Sequence, residues 1–151
     1  MDEIDKNILK TLRYDARISL KNLSQSINLS LPATSERVKK LERSGVIKGY
    51  VTLLNPEKFH KEFACFCMVE LSSHNVANDE IFAAFAKNHP DILECHRITG
   101  QYEYMLKIAT TSAKGMEKIL EAMKSKHVIN TSTFTVLATH KEEVTIQPDH
   151  A

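Results

Sequence analysis

The spacing of apolar positions changes once along this chain, near residue 60, and that change divides it. Before it, apolar residues recur at helical intervals: Ile4, Ile8, Leu9 and Leu12, then Leu20, Leu23 and Ile27, then Val38 and Leu41 with Thr34 one turn ahead. Asp2, Ser19 and Ser30 stand where N-caps belong, and Pro32 falls in the first turn of the third helix, where a missing N–H does no harm. Gly45, behind Ser44, stops that helix. Asp15–Ser19 forms the loop between the first two helices, with Ile18 as a plug. Asn28-Leu29-Ser30 is the turn between the second and third, and asparagine tolerates the left-handed backbone such a turn needs. Val46-Ile47 and Gly49–Leu54 then read as strand, a short wing that Asn55-Pro56 breaks.

Beyond a linker at Pro56–Glu62 the period becomes two. Phe63–Ser72 is apolar on both faces, with Phe63, Cys65, Cys67, Val69 and Leu71 on one and Ala64, Phe66 and Met68 on the other. Asn78 is expected to cap a helix with Ile81, Phe82, Phe85 and Ala86 inward, which His89-Pro90 ends. Ile92–Thr99 and Tyr104–Thr110 form a hairpin about a turn at Gly100–Glu103. Ser112 caps a second helix carrying Met116, Ile119, Leu120 and Met123, and Thr131–Lys141 is a Thr-rich last strand. The order β-α-β-β-α-β is the ferredoxin-like arrangement, with both helices on one face of an antiparallel sheet. The apolar opposite face predicts a homodimer made by stacking two sheets. The expected class is therefore α+β: a winged helix-turn-helix over 1–50, a linker over 51–62, and a ferredoxin-like βαββαβ domain over 63–151.

Two short helices joined by three residues, the second basic outside, describe a DNA-reading helix-turn-helix. About a dozen residues make the second helix roughly 18–20 Å long, which suits a major groove about 12 Å wide. Its outer face carries Pro32, Ser35, Glu36, Lys39, Lys40 and Arg43. Taken alone, such a face is most simply a solvated helix surface; the helix and turn before it favour DNA. Lys39, Lys40, Arg43 and Lys48 are the phosphate candidates, and Pro32, Ser35 and Glu36 face where base edges would lie. Glu36 has three readings, as acceptor from cytosine N4, as an electrostatic filter, or as partner of Lys40.

Charge sharpens this picture. The net +1 conceals ten Lys/Arg against six Asp/Glu in residues 1–50, giving +4, and ten against thirteen in the remainder, giving −3. A basic front and acidic back fit a double-stranded-DNA module joined to something else. The 151 residues are 42% hydrophobic and 26% charged, an ordinary globular composition. With no run of 18 apolar residues and no signal-peptide pattern, no membrane partner is expected and the location is cytoplasmic. Cys65, Cys67 and Cys95 lack a paired spacing. The second strand of such a sheet is not a neighbour of the first, so Cys95-His96 cannot readily share a metal with the other two, and buried thiols are expected. Neither a phosphate loop nor a nucleophile elbow occurs, so neither enzyme nor cofactor is expected.

Ser19–Leu23 (SLKNL), Asn28-Leu29-Ser30, Glu36–Glu42 (ERVKKLE) and Gly45-Val46-Ile47 together resemble the DNA-binding half of the Lrp/AsnC (leucine-responsive, feast/famine) transcription regulators. Asn28 replaces the usual glycine and Thr34 the usual aliphatic residue. Arg37 matches a position the family keeps basic, although an ion pair within the helical unit explains it nearly as well; with Ser30 it joins the DNA-binding candidates. The turn Thr99-Gly100-Gln101-Tyr102-Glu103-Tyr104 resembles the family's effector-domain motif, with Glu103 for the usual aspartate. The resemblance implies a small-molecule effector, typically an amino acid, bound between dimers that assemble into octamers. Glycine N–H groups would meet its carboxylate, Glu103 its ammonium, and Thr131 and Thr133 would add hydroxyls. The plainer reading is a hairpin turn whose tyrosines pack at a subunit contact. Lys126-His127-Val128 replaces the family's Pro-Gly turn. Two further readings stay open: a DNA-architectural protein without an effector, and a ferredoxin-like small-molecule enzyme or sensor.

Overall fold

A computed structural model describes residues 1–73 and 75–148. The chain forms two units, Met1–Leu53 together with the end of the chain from Lys141, and Leu54–His140. The first contains α1 (Glu3–Tyr14), α2 (Leu20–Ser26) and α3 (Leu31–Arg43). Each begins at its expected cap: Asp2 accepts from the Asp5 N–H, Ser19 from that of Asn22, and Ser30 from that of Ala33. Asn28 is left-handed, at φ +54°. Ile8, Leu23, Val38 and Leu41 make the core, flanked by Ile4, Leu12, Ile18 and Ile27. Thr34 occupies a buried slot because its hydroxyl donates to the Ser30 carbonyl at 3.0 Å, leaving its methyl to pack.

The expected wing strand is absent: residues 46–54 form no ladder. A strand needs a partner edge, and among the described residues none meets this segment. Tyr50 instead donates its hydroxyl to Glu42 at 2.9 Å. Burial, and then the Glu42 carboxylate, push the Tyr50 phenol up to about 12. The tail from Lys141, expected to run on with the second domain, belongs to the first unit, where Arg13 pairs with Glu143.

The second unit contains β1 (Phe63–Leu71), α4 (Val76–Asn88), β2 (Ile92–Arg97), β3 (Tyr104–Thr110), α5 (Ala113–Lys124) and β4 (Val128–Thr135). A 3-10 turn at Pro56–Phe59, capped by Asn55, comes before β1 in this unit. The sheet order is β2-β3-β1-β4, with every neighbouring pair antiparallel. Cys65, Cys67, Val69 and Leu71 of β1 pack against Phe82, Ala86, Met116, Ile119 and Met123 of the helices. On the open face, Phe66 lies beside Phe134, and Met68 beside Met105. These open-face side chains are only half-buried or exposed.

Two boundaries shift. The cap of α4 is Asn75, not Asn78; Asn78 is buried, and its amide donates to Ser73 Oγ at 2.9 Å. Asn78, Phe82 and Ala86 define the inward face, which leaves Ile81 43% exposed rather than in the core. The last strand starts at Val128 and ends at Thr135, earlier at both ends than expected. His127, just before it, is left-handed at φ +63°, a conformation that strains a residue with a Cβ. Exposed His127 is thus a favourable site for glycine. His127→Gly should raise stability by about 0.5–1 kcal/mol, the relief outweighing the looser unfolded chain. An unchanged or lower melting temperature of the full chain would contradict this.

Candidate nucleic-acid interface and effector turn

The inward stripe Thr34, Val38 and Leu41 fixes which side of α3 meets solvent. Pro32, Glu36, Lys39, Lys40 and Arg43 are exposed, Ser35 is half-buried, and Lys48 is exposed beyond the helix. Ser30 is occupied as the cap, its Oγ 3.4 Å from the Ala33 N–H. Glu36 pairs with Lys39 at 3.7 Å and Arg43 at 3.8 Å, rather than with the expected Lys40. Exposed pairs of this length are worth little, so phosphates can compete for both cations.

Arg37 forms the ion pair within the helical unit that was one of its two readings. Its Nη1 donates to Asp2 Oδ2 and to Asp5 Oδ1, each at 2.7 Å, so the guanidinium is committed to the start of α1. The Asp5 N–H first, and then Arg37, hold the Asp2 carboxyl below the usual carboxylate range.

In the second unit, the Ile98 N–H donates to the Glu103 carbonyl at 2.8 Å and closes the β2–β3 turn. Gly100 sits at φ +125°, a region glycine alone enters readily. Thr99, Gly100 and Gln101 are exposed and Tyr102 half-buried. Glu103 turns inward. It is 9% exposed, and its carboxylate accepts from the Leu71 N–H at 2.8 Å, tying the hairpin to β1. Tyr104 also turns inward, stacking on Phe82 with centroids 4.8 Å apart. Its hydroxyl donates to Asp79 Oδ1 at 3.2 Å, while Arg97 pairs with Asp79 Oδ2 at 2.8 Å. Burial, and then the Asp79 carboxylate, push the Tyr104 phenol up.

Arg97, Tyr104, Val69 and Thr131 form one row across the sheet, so Thr131 lies at the turn's end of the molecule. Thr133 is two rows further along, its hydroxyl 3.7 Å from Cys67 Sγ. Asp79 and Arg97 were not singled out from the sequence. Their pairing depends on how α4 lies against the end of β2, which no local period reveals.

Cys65 and Cys67 are wholly buried; burial, with Cys67 adding to it, pushes the Cys65 thiol up to about 11. Cys95 is exposed, contrary to the buried thiol expected there. Strand β3 lies between β1 and β2, as the topology implied. Among the described residues no cluster of three or more His, Cys, Asp or Glu could hold a metal ion. None of the described helices is long and apolar enough to cross a membrane.

A three-helix unit whose third helix turns cations outward, carried on one chain with a ferredoxin-like sheet, defines a DNA-binding regulator of the helix-turn-helix class. Residues 1–48 match the winged helix-turn-helix DNA-binding domain, and residues 64–146 match the Lrp/AsnC ligand binding domain. The chain belongs to the Lrp/AsnC family of transcriptional regulators. It is 36% identical over 146 residues to the leucine-responsive regulatory protein of Salmonella typhimurium, covering 94% of this chain and 88% of that one. To the transcriptional regulator AzlB of Bacillus subtilis it is 34% identical over 154 residues, covering 99% and 96%. Among solved structures, a transcriptional regulator of Neisseria meningitidis in complex with L-methionine superposes with a TM-score of 0.94 at 28% identity, covering 99% and 98%. The structure of LrpC of B. subtilis gives 0.85 at 30% identity, covering 93% and 97%. The sequence relatives are named as regulators of transcription, not as enzymes.

Proposed function

We propose that the protein works in the cytoplasm as a dimeric repressor or activator whose α3 helices read duplex DNA and whose sheet domain answers to an amino acid. The outward cations of α3, held there by the Thr34–Val38–Leu41 stripe, are the observation that carries this reading. Lys39, Lys40, Arg43 and Lys48 neutralise phosphates, while Pro32, Ser35 and Glu36 lie toward the bases. Two subunits stack their open sheet faces through Phe66, Met68, Met105 and Phe134, and dimers assemble further into octamers. A symmetric pair then reads half-sites about 34 Å apart, one helical turn of DNA.

The effector site is built from the exposed Thr99, Gly100 and Gln101 with half-buried Tyr102, a turn whose N–H groups suit a carboxylate. Glu103, Tyr104, Thr131 and Thr133 serve as its frame. That the Neisseria relative holds L-methionine supports an amino acid as ligand class. The effector acts by binding one assembly state more tightly than another; equal affinity for both would shift nothing.

Selection of duplexes from a random pool by the full-length protein tests the reading. Enrichment of a near-palindrome with half-sites one turn apart is expected, and no retained duplex at low salt would overturn it. Thermal shift against the twenty amino acids, with sedimentation alongside, tests the sensor. A response from none of them would transfer the reading to an effector-independent architectural protein, and a persistent monomer would defeat sheet stacking.

A further inference from the structure

The knot at the start of α1 uses its oxygens completely. Asp2 Oδ1 accepts from the Asp5 N–H at 2.9 Å, and Asp5 Oδ2 accepts from the Asp2 N–H at 3.3 Å, which is a reciprocal cap. The remaining oxygens, Asp2 Oδ2 and Asp5 Oδ1, both accept from Arg37 Nη1. One nitrogen near the middle of α3 thus closes a ring with the cap of α1. The other tie between these helices is the small apolar core around Ile8, Leu23, Val38 and Leu41.

Electrostatics argue against Arg37 as a phosphate ligand. Beside the knot is an open hollow of about 510 Å³ lined by Met1, Asp2, Asp5, Glu36, Arg37, Lys40 and Arg43. Three acids there face three bases, and the two acids nearest Arg37 are in contact with it. A phosphate drawn to Arg37 would meet both carboxylates at close range, where like charges repel strongly. Lys40 and Arg43, on the same hollow, are exposed and lie farther along α3.

We infer that Arg37 is a positioning residue: it locks the pitch of the DNA-reading helix α3 to the N-terminal cap of α1 and does not itself touch nucleic acid. The aspartates are its partners in that role, not a brake on its charge. This rests on the DNA-binding reading above, and it makes predictions that a phosphate ligand would reverse.

The test uses a duplex selected from a random pool by the wild-type full chain, titrated across salt concentrations. Arg37→Met should weaken binding about tenfold with the slope of log affinity against log salt unchanged. Asp2→Asn with Asp5→Asn should weaken it by a similar factor, and adding Arg37→Met to that pair should cost little more. Arg37→Lys keeps the charge and safeguards against a folding defect. With the helical signal intact it should recover part of the loss, because the shorter lysine keeps the charge beside the two carboxylates but does not reproduce the position of Nη1. A slope reduced by about one in Arg37→Met, or tighter binding in the Asn pair, would show Arg37 on phosphate and overturn the inference. If the wild-type chain retained no duplex, the DNA-binding reading itself would fall, a distinct outcome.

Discussion

Ile8→Ala should abolish duplex binding although Ile8 lies nowhere near the outward face of α3. Ile8 is 0% exposed and is one of the four buried apolar side chains that centre the core of the first unit among the described residues. Truncating a buried isoleucine costs about 2–5 kcal/mol, the lost transfer energy plus the cavity left behind. A unit of some 50 residues has a total stability of only about 3–8 kcal/mol, and so small a core cannot collapse far to fill a hole. The expected result is loss of the three-helix signal in circular dichroism and of duplex binding together. The sheet unit keeps its separate core, so its melting should persist. Retained binding with an unchanged helical signal would show that the first unit draws stability from contacts other than this core.

The same smallness explains what could be read without coordinates. The caps at Asp2, Ser19, Ser30 and Ser112 were legible because capping is decided within three residues, and all four act as expected. Asn28 was legible for the same reason: the turn is three residues long and needs a left-handed backbone. The sheet order followed from the ferredoxin-like succession of elements. Where local rules allowed two answers, the reading went astray. Asn75 and Asn78 are both asparagines three apart ahead of acidic residues, and only the Ser73–Asn78 bond and the burial of Phe82 decide between them. The alternation of residues 46–54 describes a strand, but no pattern along one segment can supply the partner a strand requires. Glu103 and Arg37 were ambiguous for a different reason. Each is polar, each matches a position expected to meet a ligand, and each is consumed by a partner more than 30 residues away. Long-range pairs leave no trace in periodicity.

Reversing two charges should produce the second large effect, and by the opposite route. Lys39→Glu with Lys40→Glu alters side chains that are exposed and turned from the Thr34–Val38–Leu41 stripe, so the fold should survive. The pair Glu36–Lys39 that would be lost spans 3.7 Å in the open, and such pairs contribute about 0–1 kcal/mol. At the nucleic acid the terms are larger. A charge-assisted hydrogen bond is worth about 1.5–3 kcal/mol, so the two lost in each subunit predict a fall in affinity of about 10²–10⁴-fold per subunit. Repulsion between new carboxylates and the phosphates adds to it. The diagnostic is the salt dependence: each phosphate contact releases condensed counterions, so the slope should drop by about two per subunit. Ile8→Ala and this variant are then told apart by circular dichroism, lost in the first and kept in the second. Full affinity with an unaltered slope in the double variant would mean that α3 does not face DNA through its cations, whatever the rest of the chain resembles.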